Sequence, residues 1–249
     1  MPSRQKDLNM DKLHLSEHIS QQFNEELEDV RSKVLQMGGM VEDQLANAVN
    51  ALISGDIALA KDVVAQDKAI NAMELEIDED CTRIVARRQP AATDLRLVMA
   101  VIRTINDLER MGDEVKRIGK MVGDELDGIL EEDVRLEIEY MGGLVRGMLH
   151  DVLDAFARTD AQAAVDVART DKKVDAKYRA ITRHLMTYMA QDHGAIPNVL
   201  NILWAARALE RLGDRCQNIA EYVIYLVLGR DVRHHGLDEV MAELGAQTD

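Results

Sequence analysis

The chain carries an internal repeat, and that repeat limits the folds open to it. Gln36-Met37-Gly38-Gly39-Met40-Val41 has a counterpart in Tyr140-Met141-Gly142-Gly143-Leu144-Val145. In the same register Asp56 aligns with Asp160, Asp67-Lys68 with Asp171-Lys172, and Ile77 with Ile181. Leu108-Glu109-Arg110-Met111-Gly112-Asp113 then aligns with Leu209-Glu210-Arg211-Leu212-Gly213-Asp214, after a slightly shorter connection. Self-similarity at this length means a duplicated domain, not a solenoid of short units.

Within each copy the apolar period is helical. Phe23, Leu27, Val30, Val34, Met37, Val41, Leu45, Val49 and Leu52 recur at three or four residues, the spacing of one helix face. The run stops at Ser54-Gly55-Asp56, where Asp56 can cap a second helix. That helix reaches Arg87-Arg88-Gln89-Pro90, since a proline disfavours helix at its predecessor. Thr93 or Asp94 is expected to cap a third, which runs to Val122. The second half predicts helices over 132–158, 160–191 and 197–229, with Pro197 near the start of the last. Prolines occur only at 2, 90 and 197, so long helices can run between them. Apolar residues make up 47% of the chain but aromatic ones only 3%, the Leu, Ile, Val, Met and Ala mixture that fills helical bundles. The expected fold is all-α: two tandem, pseudo-repeated three-helix bundles over 15–125 and 130–230, between a flexible N-terminal segment, 1–14, and a C-terminal tail, 231–249.

Charge and composition exclude several function classes. With 30 basic and 45 acidic residues the net charge is −15, which argues against nucleic acid as a partner. The apolar runs are too short for a membrane span, and no N-terminal apolar stretch reads as a secretion signal. Cys81 and Cys216 stand far apart without a CxxC pairing and read as buried free thiols of a reducing, cytoplasmic compartment. The phosphate-binding loop, the HExxH and GxSxG motifs and the dinucleotide fingerprint are all missing. The paired carboxylates could serve a metal-dependent hydrolase or oxidase, but a di-iron bundle would offer Glu-x-x-His on the same helices. The expectation is a protein that is not an enzyme.

The repeated Glu-Arg-x-Gly-Asp segment carries the chemistry. Glu109 and Asp113, and again Glu210 and Asp214, sit four residues apart, one turn along a helix face. Like charges at that spacing repel unless a cation lies near. Gly112 and Gly213 each cost about 1 kcal/mol inside a helix, and either room for a cation or close helix packing would explain them. The second stripe continues through Asn218 and Glu221, all oxygen donors suited to hard cations. The first continues through Arg117 and Lys120, so Glu109 and Asp113 either recruit acids such as Asp67 or Glu74 from the second helix or form a weak or missing site. The plain alternative is a solvated acidic face, salt-bridged by Arg110, Arg211 or Arg215.

Met37-Gly38-Gly39-Met40-Val41-Glu42, Asp67-Lys68-Ala69-Ile70, Pro90-Ala91-Ala92-Thr93-Asp94-Leu95-Arg96, the two Leu-Glu-Arg-x-Gly-Asp segments and Asn218-Ile219-Ala220-Glu221 together resemble the PhoU family of phosphate-uptake regulators over roughly residues 20–230. The resemblance implies a cytoplasmic protein, often a homodimer. It implies action with the ATPase of a phosphate ABC transporter and a phosphate-sensing histidine kinase, repressing the phosphate-starvation response when phosphate is plentiful. It also implies a divalent or ferric metal (Fe, Mn, Mg, Zn or Ca) at the E-x-x-x-D helices, with Glu109, Asp113, Glu210, Asp214, Asn218, Glu221, Asp67 and Asp171 as candidate ligands. A metal-free helical adaptor remains the rival reading.

Arg87, Arg88 and Arg96, with Arg103 nearby in sequence, could form a basic patch for a partner, or simply neutralise an acidic bundle. His234-His235 could ligate metal, but a pair on a terminal tail is more often inert.

Overall fold

The structure, a computed structural model, describes residues 3–122 and 132–232, with side chains from residue 21 onward. Among the described residues it is helical throughout: α1 Ser3–Ser54, α2 Ile57–Arg88, α3 Ala92–Met121, α4 Glu132–Arg158, α5 Ala161–Gln191 and α6 Ile196–Leu228, with a 3-10 turn at His193–Ala195. The polar N-terminal stretch expected to lie apart continues α1 back to Ser3; after Pro2 it holds no helix breaker.

Helix ends follow local chemistry. The Asp56 carboxylate accepts from the Leu59 amide at 3.0 Å, and its counterpart Asp160 accepts from Ala163 at 3.0 Å, satisfying one of the open amides at each helix start. Gly229, at φ 72, closes α6 in the left-handed conformation. One expectation fails. Thr93 and Asp94 do not cap α3, which begins a turn earlier behind Ala91 with no side-chain cap. Gln89 ends α2 at φ 49 and Ala92 turns the chain at φ 47, so Thr93 already lies in the first turn, where its hydroxyl accepts from Arg96.

Helices α1, α2 and α3 pack on one another, as do α4, α5 and α6; α1 crosses α4 and α3 crosses α6. The inner four helices thus join the repeats, with α2 and α5 outside. One hydrophobic core runs through both, from Val34, Met37 and Val41 of α1 to Ile219 and Val223 of α6.

The doubled Met-Gly-Gly motif is the α1–α4 crossing. A Cβ on Gly38 would lie 2.5 Å from a methyl of Leu153 on α4, and one on Gly142 would lie 2.9 Å from a methyl of Val49 on α1. The contacts are reciprocal, as a pseudo-two-fold requires. Cys81 and Cys216 are free and buried, as expected, and burial pushes the Cys81 thiol up to about 12. None of the described helices is long and apolar enough to cross a membrane.

Candidate functional site

The second repeat gathers its acids between α5 and α6. Asp171 and Glu210 are only 7% and 8% exposed, in a chain where such residues are rarely buried unpaired. Asp171 Oδ1 and Glu210 Oε2 have no hydrogen-bond partner. Gly213 explains how they fit. A Cβ there would come within 2.8 Å of Asp171 Oδ1, so the glycine lets the carboxylate lie against α6. Arg207 pairs with the other oxygen of Glu210 and stands over the Tyr178 ring, 5.4 Å from its centroid.

These carboxylates crowd one another. Burial raises Asp171 to about 7, helped by the charges of Asp214, Asp175 and Glu210. Burial also raises Glu210 and Asp214, and Asp175 adds to both. Asp175 escaped the sequence reading. Its signal was legible, because Asp171 and Asp175 form a second carboxylate pair at i, i+4 on α5, facing the pair on α6.

The first repeat uses the same positions differently. Asp67, 2% exposed, aligns with Asp171, but a lysine reaches it. Lys116 Nζ donates to Asp67 Oδ2 at 2.6 Å and to Asp113 Oδ1 at 3.4 Å, and the Asp67 bond raises the Lys116 ammonium above its ordinary range. Burial raises Glu109, with Asp113, Glu74 and Asp67 adding to it, so the acids of α2 and α3 do meet there. The basic residues singled out from the sequence stand elsewhere. Arg117 pairs with Glu114 at 2.8 Å, and Lys120 lines a groove with Ile57 and Lys61. The cation that meets these acids is the half-buried Lys116, a turn beyond Asp113, where the second repeat carries Gln217. The glycines differ as well: a Cβ on Gly112 would make only ordinary contact with Ile70 at 3.4 Å.

Asn218 and Glu221 do not extend the second cluster. Asn218 lies ~12 Å along the axis from Glu210 but only ~6 Å from Asp214 at 1.5 Å per residue, so its hydrogen bonds rather than its register set it apart. Asn218 donates to Asp107 Oδ1 at 3.3 Å, and Glu221 accepts from Gln217 at 3.3 Å. With Asp214, Arg207, Arg211 and Arg215 they line an open groove of about 620 Å³ beside α3. Its arginines are engaged, Arg211 with Glu114 at 3.1 Å and Arg215 with Asp107 at 2.9 Å.

Arg87, Arg88 and Arg96 divide between two neighbours. Arg88 grips Glu26 of α1 through two hydrogen bonds of 2.7 and 2.9 Å, and Arg87 lines a groove against that helix. Arg96 lies instead under the C-terminus of α6, at Gly229. His234 and His235 fall outside the described residues.

The family model described as PhoU domain matches twice, over residues 34–122 and 138–223, one match per repeat. The chain belongs to the PhoU family. The phosphate-specific transport system accessory protein PhoU of Escherichia coli K12 is 51% identical over 231 residues, covering 93% of this chain and 95% of that protein. The PhoU homologue of Pseudomonas aeruginosa is 51% identical over 92% of this chain and 95% of its own. The crystal structure of PhoU from Pseudomonas aeruginosa superposes with a TM-score of 0.80 at 50% identity, covering 84% of this chain and all of that one. The phosphate transport system regulatory protein PhoU from Streptococcus pneumoniae superposes at 0.77 with 32% identity, covering 84% of this chain and 99% of that one. The all-α, two-repeat architecture is therefore that of PhoU proteins.

The metal that PhoU resemblance implies meets different ground in the two repeats. In the second, buried carboxylate oxygens without partners, all-oxygen donors and the room at Gly213 suit a hard cation. No three His, Cys, Asp or Glu side chains among the described residues yet converge as a ligand set, so the carboxylates would have to rotate inward. In the first, Lys116 already supplies the positive charge.

Proposed function

We propose that the chain is a non-catalytic accessory protein of a phosphate-specific transport system. In this reading it is cytoplasmic, forms a homodimer and represses phosphate uptake and the starvation response when phosphate is plentiful. It does so by engaging the transporter ATPase and a phosphate-sensing histidine kinase. The supporting observation is the family match across both repeats, joined to relatives named as accessory proteins that align over nearly their full length.

Metal belongs to the same reading. Asp171 and Glu210 would hold a hard cation between α5 and α6, with Asp175 and Asp214 as further donors, and the ion would bring positive charge to Asp171, on which the neighbouring Asp214, Asp175 and Glu210 act. Arg207 and Tyr178 close the side of the cluster next to Glu210. Binding would tighten α5 against α6 and so stiffen the surface offered to a partner.

The test is genetic and biophysical. Deleting the gene in its own host should switch on a phosphate-starvation reporter in phosphate-rich medium, and supplying the chain should silence it again. A reporter that stays silent after deletion would sink the regulatory reading. Mn²⁺ or ferric iron added to chelator-treated protein should raise its melting temperature, since a ligand of the folded state alone must stabilise it. An unmoved transition would leave a metal-free adaptor.

A further inference from the structure

The two repeats keep their acids at matching positions but balance them by different means. In the first, Lys116 holds its ammonium 2.6 Å from Asp67 and 3.4 Å from Asp113, and Glu74 and Glu109 belong to the same acidic group. In the second, Asp171, Asp175, Glu210 and Asp214 have no lysine among them; Gln217, aligned with Lys116, donates away from the cluster to Glu221. Arg207 reaches one oxygen of Glu210 and leaves the other, with Asp171 Oδ1, buried and unpartnered. A further difference lies on the outer helices, where Asn71 of α2 aligns with Asp175 of α5. Each cluster therefore has a cation, but on a different acid: Lys116 pairs with the buried Asp67, whereas Arg207, where the first repeat carries Asn106, pairs with Glu210 and leaves Asp171 crowded by Asp214, Asp175 and Glu210.

We infer that Lys116 is a built-in counter-ion that takes the place of a metal in the first repeat, so that cation binding is confined to the second. This rests on the metal reading proposed above. A hard cation entering the first cluster would have to expel the ammonium from its bond with a 2%-exposed carboxylate or accept a like charge a few ångströms away, and both oppose binding. Asp67 Oδ1 lacks a hydrogen-bond partner even with Lys116 in place, so the pocket keeps an open donor. Removing the lysine charge should turn it into a site.

Mn²⁺ bound per chain, counted after chelation and dialysis, tests this. Wild type should bind at the second repeat alone: Asp171→Asn should abolish binding and Asp67→Asn should leave it intact. Lys116→Met should double the bound Mn²⁺, and adding Asp67→Asn should return it to the wild-type count. Lys116→Gln, which copies the residue present at position 217, gives the same reading should the methionine variant fold poorly. Wild-type Mn²⁺ that falls with Asp67→Asn, or a count unchanged in both Lys116 variants, would overturn the inference while the metal reading stood. No Mn²⁺ in wild type or in any variant would remove the metal reading and this inference with it.

Discussion

Asp171 is the residue at which packing and electrostatics oppose each other most. A carboxylic acid at about 7, against an ordinary value of 3.8, binds its proton more tightly in the folded chain than in the unfolded one. The folded state then holds more protons between those values, so stability falls as pH rises through that window and levels off above it. Chelator-treated protein should accordingly lose melting temperature between about pH 4 and pH 7. Asp171→Asn should flatten that slope and stabilise the metal-free chain at pH 8 by on the order of 1–3 kcal/mol, read from urea midpoints. A variant no more stable than wild type at pH 8 would count against the burial argument. The aligned glycines make a second test. Gly112→Ala meets only ordinary contacts and should gain up to about 1 kcal/mol from helix propensity. Gly213→Ala must push the Asp171 carboxylate aside, so it should show no such gain and should weaken Mn²⁺ binding.

Among the elements, α1 and α4 depend on the Met-Gly-Gly crossing. Gly142→Ala would drive a methyl to 2.9 Å from Val49, whose branched side chain cannot swing clear, so it should destabilise by ~1–3 kcal/mol. Its neighbour Gly143 faces open space, and Gly143→Ala should stabilise by up to about 1 kcal/mol. Equal effects at both positions, in thermal or urea unfolding, would refute the crossing as the reason for the motif. Helix positions were largely legible in the sequence. The 132–158 expectation matches Glu132–Arg158, and both Asp caps stand where the repeat put them, because apolar period and capping are local effects. The start of α3 was not legible, since left-handed turns at Gln89 and Ala92 are conformations that neither residue type favours.

For the whole molecule, the joint between α3 and α6 turns on Asp107. Only 4% exposed, it accepts from Arg215 at 2.9 Å, Asn218 at 3.3 Å and Tyr222 at 2.8 Å, all on α6. Arg103 of α3 stacks near the Tyr222 and Tyr225 rings, 5.8 and 5.6 Å from their centroids. The position aligned with Asp107 is Ala208, so this latch lies on one side of the pseudo-two-fold only. Asp107→Ala removes the shared acceptor of Arg215, Asn218 and Tyr222 and should destabilise by ~1–3 kcal/mol. Hydrogen exchange should quicken along α3 and α6 more than along α2 and α5. Uniform exchange would show that the apolar core alone joins the repeats.

The amino-acid sequence by itself determined the helices, their duplication and the family, because period, caps and repeated motifs are written in neighbouring residues. It also put Glu109 with Asp113 and Glu210 with Asp214 on their helix faces, since that needs only the helical pitch. Which acids face which cations was decided by the tertiary structure. Lys116 rather than Arg117 or Lys120 meets Asp67, Asn218 serves Asp107 rather than Glu210, and Asp175 joins Asp171. Those choices depend on how α2 rotates against α3 and α5 against α6, and such rotations are set by packing between helices that no short stretch of sequence contains.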